Sequence, residues 1–471
     1  MKFPSGLIAR RGLLFVLLLS AVLAVVYGLW RADWLRLSEA RQPSLLQRLQ
    51  VPQPSAPWEL DAIFDGYRVK LALPQELDKV DTLPSQIQGA VRQRIEFRRR
   101  NIEVLRKVAV ALDRKLENSR TIHLASHDQT LARVVMSSSP LFIRTSPVSP
   151  IAMYERVLAV LPDYTRVDFF VPESSVSQVA LRLRALGMEQ RVRLHGEQEY
   201  ELVEGVIPFR HRTTRWMRDL FWTAADQGGH SLLLLPLAFY QINDLSRPDN
   251  DYVEELDDEL QEVVRVPLFF KGGNLLVGVN GGRRILFIGQ DELKLNQDFY
   301  FNAFFYFPPQ EEVLGLFKQL AGVDEVRVLP NSKHLFHLDM AMSMLNTKTV
   351  ALIEPVDKDA LVEDDRRVIA EMRQVLTEYG FHIIGVPTFV DWVGTFKSPV
   401  NILIFTNRDS GRPSAIVPQF EDRLITEEGK SVSIYQKIKQ AYADAGVDTV
   451  FAVDGFYQFG GNLHCAILPL K

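Results

Sequence analysis

One cysteine occurs in 471 residues, Cys465, and it closes the segment Gly460-Gly461-Asn462-Leu463-His464-Cys465. A lone thiol cannot form an internal disulfide, so it is either a buried hydrophobe or a reactive group. The Gly-Gly-Asn turn before it allows close approach of backbone to a ligand. Three other short segments carry groups that thiol chemistry can use: Trp216-Met217-Arg218-Asp219, Gly272-Gly273-Asn274 and His337-Leu338-Asp339-Met340. Singly, each has an ordinary reading: an Asp after an Arg is usually a surface ion pair, and a His-x-Asp is usually structural. Together they supply a thiol, an imidazole and two carboxylates.

The order Trp-x-Arg-Asp, Gly-Gly-Asn, His-x-Asp, Asn401-Ile402-Leu403-Ile404-Phe405 with Val417-Pro418-Gln419-Phe420, then Gly-Gly-Asn-x-His-Cys resembles the guanidine-modifying (pentein) superfamily. It is similar in particular to agmatine deiminases and bacterial-type peptidylarginine deiminases, over about residues 150–471. The resemblance implies a five-bladed α/β propeller of pseudo-repeated units with the site at its axis. It implies that Asp219 and Asp339 grip a guanidinium, with Trp216, Asn274 and Asn401 also contacting substrate. Carboxylates suit that task, because a planar cation with several N–H donors pairs with them bidentately. Cys465 then attacks the guanidinium carbon as thiolate. A free thiol ionises near pH ~8.5, so a nearby cation must favour ionisation. The resemblance gives that role to His337, which also protonates departing ammonia and activates water. A covalent thiouronium intermediate then yields a ureido product, with no metal and no organic cofactor.

The chain departs from the agmatine deiminase pattern in three places. Leu220-Phe221-Trp222 stands where Thr-Gly-Pro is usual, Lys271 where Glu is usual, and Phe459 where a third glycine is common. These departures fall on expected pocket loops and disfavour agmatine, whose far end is an ammonium. Peptidyl-arginine is the expected substrate. Three readings stand beside it: agmatine deiminase; amidinotransferase, with an amine replacing water as acceptor; and a non-catalytic cell-surface module that binds a ligand. His464 is expected to point away from Cys465, because neighbours in a strand face opposite sides.

These groups need a scaffold. From about residue 150 short strands and helices alternate, an α/β pattern. Strands are expected at 167–171, 192–194, 231–235, 284–288, 325–329, 349–353, 382–386, 402–406 and 449–453. Helices are expected at 174–186, 311–320, 363–379 and 432–445. The acidic stretch Asp249 to Glu262, with eight carboxylates, reads as an exposed helix or a negative rim that draws in cations. Upstream, residues 85–118 show largely helical apolar spacing at Ile87, Val91, Ile102, Leu105, Val108, Leu112 and Leu116, with arginines on other faces. This helix is expected to pack on the main domain; membrane-surface binding and self-association into a homo-oligomer are the alternatives. Six prolines between 43 and 84 mark a linker with local structure.

Gly12 to Trp30 is 19 uncharged, mostly apolar residues, enough at 1.5 Å per residue to cross a bilayer core of ~30 Å. Lys2, Arg10 and Arg11 precede it, which places the N-terminus in the cytoplasm and the rest outside. A cleaved secretory signal is the competing reading, but the apolar run outlasts the small residues near Ala24. The expected domains are therefore 1–30, tip and anchor; 31–149, membrane-proximal linker with the amphipathic helix; and 150–471, the catalytic body. Composition is that of a folded protein: 47% hydrophobic, 24% charged, net charge −4. That charge gives no nucleic-acid footprint, and no zinc-spaced Cys/His cluster, P-loop or dinucleotide fingerprint occurs.

Overall fold

In a computed structural model, the structure describes residues 58–119, 123–124, 131–138, 150–197, 217–219, 221–225, 231–236, 256, 261–304, 307–357, 361–390, 396–420, 423–427, 430–453 and 463–470. Val51–Lys471 forms one compact unit, distinct from Met1–Gln50. The candidate membrane anchor at 12–30 lies outside the described residues. Among those described, no helix is long and apolar enough to cross a membrane.

One strand unit recurs through the body. An antiparallel pair is followed, usually through a helix, by a third strand running parallel to the second. It appears as Trp222–Ala225, Ser231–Pro236 and Gln261–Val266; as Leu275–Asn280, Arg283–Gly289 and Glu325–Leu329; as Met342–Met344, Thr349–Pro355 and His382–Val390; and as Leu403–Thr406, Pro413–Gln419 and Asp448–Val453. The remaining unit is assembled from both ends of the body. Ile467–Leu470 pairs antiparallel with Arg133–Ser137, which pairs parallel with Arg166–Pro172, and Val192–Glu197 extends the sheet. The α/β body thus draws strands from upstream of residue 150, including His123–Leu124 on the edge of Trp222–Ala225.

Helices Pro150–Val160, Gln290–Phe304, Gln310–Ala321, Glu363–Glu378 and Ile434–Asp444 make the crossovers and cover the sheets. A short antiparallel pair of strands takes at least a two-residue turn, whereas a parallel return needs a crossover of a dozen or more residues. Apolar strand faces fill the interior: Val350, Leu352, Val386 and Val417 share one core cluster, and Val134, Met136, Phe169 and Ile467 another. The acidic stretch 249–262 lies almost wholly outside the described residues, but its last two residues open strand Gln261–Val266 instead of ending a helix. Strand pairing with Ser231–Pro236 overrides the local charge pattern there.

The helix expected at 85–118 spans Ser85–Ser119. Ile87, Val91 and Ile95 pack on the hairpin Trp58–Phe64/Tyr67–Leu73 through Leu60, Val69 and Leu71. Ile102, Leu105, Ala109 and Leu112 are buried farther along. The helix packs against strand Gln261–Val266 and helix Gln290–Phe304, so its apolar stripe is covered by this chain's own body.

Candidate active site

The chemistry-bearing segments all hold one topological position: each immediately precedes the first strand of a repeat. Met217–Asp219 leads to Trp222–Ala225, Gly272–Asn274 to Leu275–Asn280, Leu338–Met340 to Met342–Met344, Asn401 to Leu403–Thr406, and Leu463–Ala466 to Ile467–Leu470. Four of the five are single helical turns. The turn at Gly272–Asn274 touches those at Met217–Asp219, Leu338–Met340 and Leu463–Ala466. Residues scattered over 250 positions of sequence therefore meet because the repeat brings the same point of each unit to one place.

Glycine is required where these turns meet. A Cβ on Gly272 would lie 2.3 Å from the Arg218 carbonyl oxygen, and one on Gly273 would lie 2.6 Å from Asp339 Oδ2. Any side chain at 273 would push the carboxylate aside. Asn274 sits fully buried behind them with all four hydrogen-bonding places used. Its Nδ2 donates to Asp291 Oδ1 at 2.5 Å and Glu292 Oε1 at 3.2 Å; its Oδ1 accepts from Leu338 N at 3.0 Å and Asn331 Nδ2 at 3.4 Å. Through these bonds Asn274, expected to contact substrate, ties the Gly-Gly-Asn turn to the Asp339 turn.

Asn401, also expected to contact substrate, bonds the thiol and the Asp339 backbone. Its Nδ2 donates to Cys465 Sγ at 3.2 Å and to the Asp339 carbonyl at 3.2 Å, while its Oδ1 accepts from His464 N at 2.9 Å and Cys465 N at 3.4 Å. An amide donor on sulfur favours the thiolate.

Asp339, His464 and Cys465 form the centre. Cys465 Sγ donates to Asp339 Oδ2 at 3.2 Å, and His464 Nδ1 is bonded to the same oxygen at 2.8 Å. Asp339 Oδ1 is buried and has no hydrogen-bond partner among the described residues. His464 does not point away from Cys465, as strand alternation predicted, because Leu463–Ala466 is a helical turn. Successive side chains in a turn diverge by about 100° instead of 180°, so both reach one carboxylate. Arg218 Nε donates to the His464 carbonyl at 3.3 Å, which joins the Arg-Asp segment to this turn.

The electrostatics favour an ionised Asp339. Burial alone would lift the Asp339 carboxyl. The His464 hydrogen bond and charge, the charge of His337 and the Cys465 thiol outweigh it and hold Asp339 below its ordinary value. Burial, then the Arg218 charge, push His464 down against the pull of Asp339. His337 is buried at the mouth of the same turn, its ring edge-on to Phe336 with centroids 4.7 Å apart. Asp219 lies in its expected turn, but its side chain falls outside the described residues, as do Trp216 and Gly460-Gly461-Asn462.

Sequence reasoning passed over Glu292. It is fully buried, accepts from Asn274 Nδ2 and from Lys271 N at 3.3 Å, and has Oε2 without a partner among the described residues. Burial, then the Asp291 charge, raise its carboxyl to about 8. The charge of Lys271 acts on this carboxyl, from the Gly-Gly-Asn side. Phe221, one of the departures from the agmatine deiminase pattern, is core and not pocket: it packs with Leu233 and Leu235. Among the described residues, no three His, Cys, Asp or Glu side chains stand together as a metal cage.

Comparison with known proteins places the fold. No family model matches the chain, and no curated protein matches its sequence. Solved structures do. An agmatine deiminase from C. jejuni is 14% identical, with TM-score 0.54 over 74% of this chain and 95% of that one. A Cys-to-Ser variant of the C. jejuni enzyme with substrate bound gives 14% and 0.52. A putative arginine deiminase from Porphyromonas gingivalis gives 14% identity and 0.52 over 74% of this chain and 98% of that one. At these identities the similarity establishes a pentein-type α/β fold.

Proposed function

We propose that this protein is a cysteine-dependent guanidine deiminase. The observation that carries the reading is the half-satisfied carboxylate of Asp339. A buried anionic oxygen without a donor is costly unless something arrives to bond it, and here it lies one atom from the oxygen that holds the only cysteine's thiol. A guanidinium supplies planar N–H donors and a positive charge, and its carbon is an electrophile within reach of sulfur.

The chemistry runs through this chain's own groups. In the resting site the thiol keeps its proton and hydrogen-bonds through it to Asp339. An arriving guanidinium takes over that carboxylate and lowers the energy of the anionic sulfur beside it, with Asn401 Nδ2 already donating to Sγ. The thiolate attacks the guanidinium carbon; a C–S bond forms and the proton passes to His337. The tetrahedral adduct expels ammonia, protonated by His337, and leaves a thiouronium. Water, losing its proton to His337, adds to the same carbon; the C–S bond breaks and a ureido product departs. Asp219 is the second carboxylate of the grip, a role supported by the contact of its turn with the Gly272–Asn274 turn. Solved agmatine deiminases of the same fold, one of them a cysteine variant with substrate bound, support guanidine chemistry on it.

The finer assignments rest on the sequence. Five equivalent sheets whose leading turns converge support a five-bladed propeller with the site at its axis. The apolar 12–30 segment, with basic residues before it, supports a single-pass anchor that leaves the catalytic body outside the cytoplasm. Arginine residues in external peptides are the substrate class suited to that position. The test is incubation of the purified protein with agmatine, free arginine and a blocked arginine peptide. Deimination releases one ammonia and adds about one mass unit per guanidinium. Mass gain on the peptide with stoichiometric ammonia supports the reading. Transfer of the amidino group to an added amine without ammonia replaces it with an amidinotransferase, and no change in any substrate removes the catalytic assignment.

A further inference from the structure

A second concentration of charge lies at the far end of the sheet that presents Cys465. Ile467–Leu470 runs antiparallel to Arg133–Ser137, with Ile467 opposite Met136 and Leu470 opposite Arg133. Three residues of strand, ~10 Å, separate the two ends. At the Arg133 end a groove of about 680 Å³ opens, within the ~300–1,000 Å³ usual for small-molecule sites. Five arginines line it: Arg133, Arg166, Arg191, Arg193 and Arg408.

Strand register puts these cations together. Arg133 and Arg166 are direct partners on adjacent parallel strands, and Arg193 stands opposite Asp168. Like charges directly opposite on one sheet face are destabilising. Two carboxylates line the groove against the five cations, Asp168 and Glu189. Asp168 is already committed: Oδ2 accepts from Arg133 Nε at 2.6 Å, and Oδ1 is bonded to His195 Nε2 at 2.7 Å. Arg191 is committed too, to the carbonyls of Leu158, Leu161 and Pro162, where it holds the end of helix Pro150–Val160. Arg408 lies over the Tyr164 ring, 5.1 Å from its centroid. Arg166 and Arg193 have no anionic partner among the described residues. The groove therefore holds one arginine fixed by a buried carboxylate, one fixed to a helix end, one laid on an aromatic ring, and two with guanidinium groups available.

We propose that this groove binds a small multivalent anion, best matched by a molecule carrying two or more phosphate groups, with Arg166 and Arg193 as its principal contacts and Arg133 and Arg408 flanking them. Guanidinium forks bond phosphate bidentately, and several forks around one groove select for more than one negative charge. The site is independent of the thiol chemistry, so its test needs no turnover.

The experiment is calorimetric titration of the full-length protein with inorganic pyrophosphate at low ionic strength, repeated with ATP and with vesicles of an anionic phospholipid. Saturable pyrophosphate or ATP binding is expected, weakening steeply with added salt. Arg166→Gln with Arg193→Gln should weaken it at least tenfold. The charge-matched pair Arg156→Gln with Arg184→Gln, both exposed outside the groove, should change it less than threefold. All four positions are exposed, and circular dichroism checks that each variant folds. No saturable binding, binding to vesicles alone, or equal weakening by both pairs overturns the proposal.

Discussion

Two buried histidine–aspartate pairs in this molecule have almost the same geometry and opposite surroundings. His195 Nε2 meets Asp168 Oδ1 at 2.7 Å, and His464 Nδ1 meets Asp339 Oδ2 at 2.8 Å. The Asp168 carboxylate is saturated, because Arg133 takes its other oxygen at 2.6 Å. At Asp339 both bonds crowd onto one oxygen and the other is left without a donor among the described residues. A third pair, His334–Asp365, is also saturated: Ser332 Oγ donates to the second oxygen at 2.6 Å. Buried carboxylates with both oxygens occupied act as bolts between elements. An ionised carboxylate with one oxygen unspent can bond something that the chain does not supply. Burial and a histidine partner alone do not separate the two cases; the count of donors per oxygen does.

The sharpest way to test the proposed site is to remove its thiol. Cys465→Ala should lower turnover at least about a thousandfold, since no other cysteine can replace it, while the melting temperature stays within a few degrees. An alanine variant that keeps a tenth of the rate would end the covalent mechanism.

Neutralising the two carboxylates should separate them. Asp339→Asn keeps shape and loses charge, and should cost catalysis roughly 2–5 kcal/mol in kcat/KM with little loss of stability. Asp168→Asn should do the reverse: it leaves the Arg133 guanidinium, 12% exposed, short of its counter-charge. That should lower unfolding stability by about 3 kcal/mol, with kcat/KM nearly unchanged. Equal effects of the two substitutions on stability, in a denaturant titration, would erase the distinction.

His464→Phe fills the same space without a hydrogen bond to Asp339. A ten- to hundredfold fall in kcat is expected, from a carboxylate no longer held in place. A fall confined to KM would show that His464 serves binding and not orientation.

A separate effect is a pH dependence of stability set by Glu292. Its carboxyl is raised from an ordinary value of 4.5 to about 8 in the folded protein. A raised folded value means that the unfolded chain releases this proton first. Its contribution to stability is therefore full below pH ~4.5, declines as pH rises and is lost by about pH 8, on the order of several kcal/mol in total. Glu292→Gln mimics the protonated form and should flatten the fall in melting temperature between pH 5 and 9. A parallel fall in both proteins would show that Glu292 is ionised in the folded state throughout.

Much of this arrangement could be read before any coordinates. Strands expected at 284–288, 325–329 and 349–353 lie within Arg283–Gly289, Glu325–Leu329 and Thr349–Pro355, because short β-branched runs between turns leave little choice of structure. The long helix at 85–118 was legible from its apolar spacing. What stayed hidden depends on pairing between distant residues. Arg133–Ser137 is five residues long and is a strand only because Ile467–Leu470 and Arg166–Pro172 flank it. His464 was misplaced because a four-residue turn and a strand look alike in sequence, yet they send neighbouring side chains in different directions. Glu292 carried no motif. Its role comes from the fold of helix Gln290–Phe304 under the Gly-Gly-Asn turn, and a buried glutamate in a helix is visible only once burial is known.

The pairing of Ile467–Leu470 with Arg133–Ser137 also sets a timetable. The sheet that presents Cys465 joins strands from opposite ends of the body, so its closure spans more sequence than any other strand pairing among the described residues, carries a correspondingly large loop-entropy cost and belongs among the slow steps of folding. Until the last strand pairs, the thiol has neither the Asn401 amide nor the Asp339 carboxylate beside it. The earlier repeats can form beforehand, each around its own local hairpin. The thiol therefore gains its Asn401 and Asp339 partners only when strands from both ends of the body have paired.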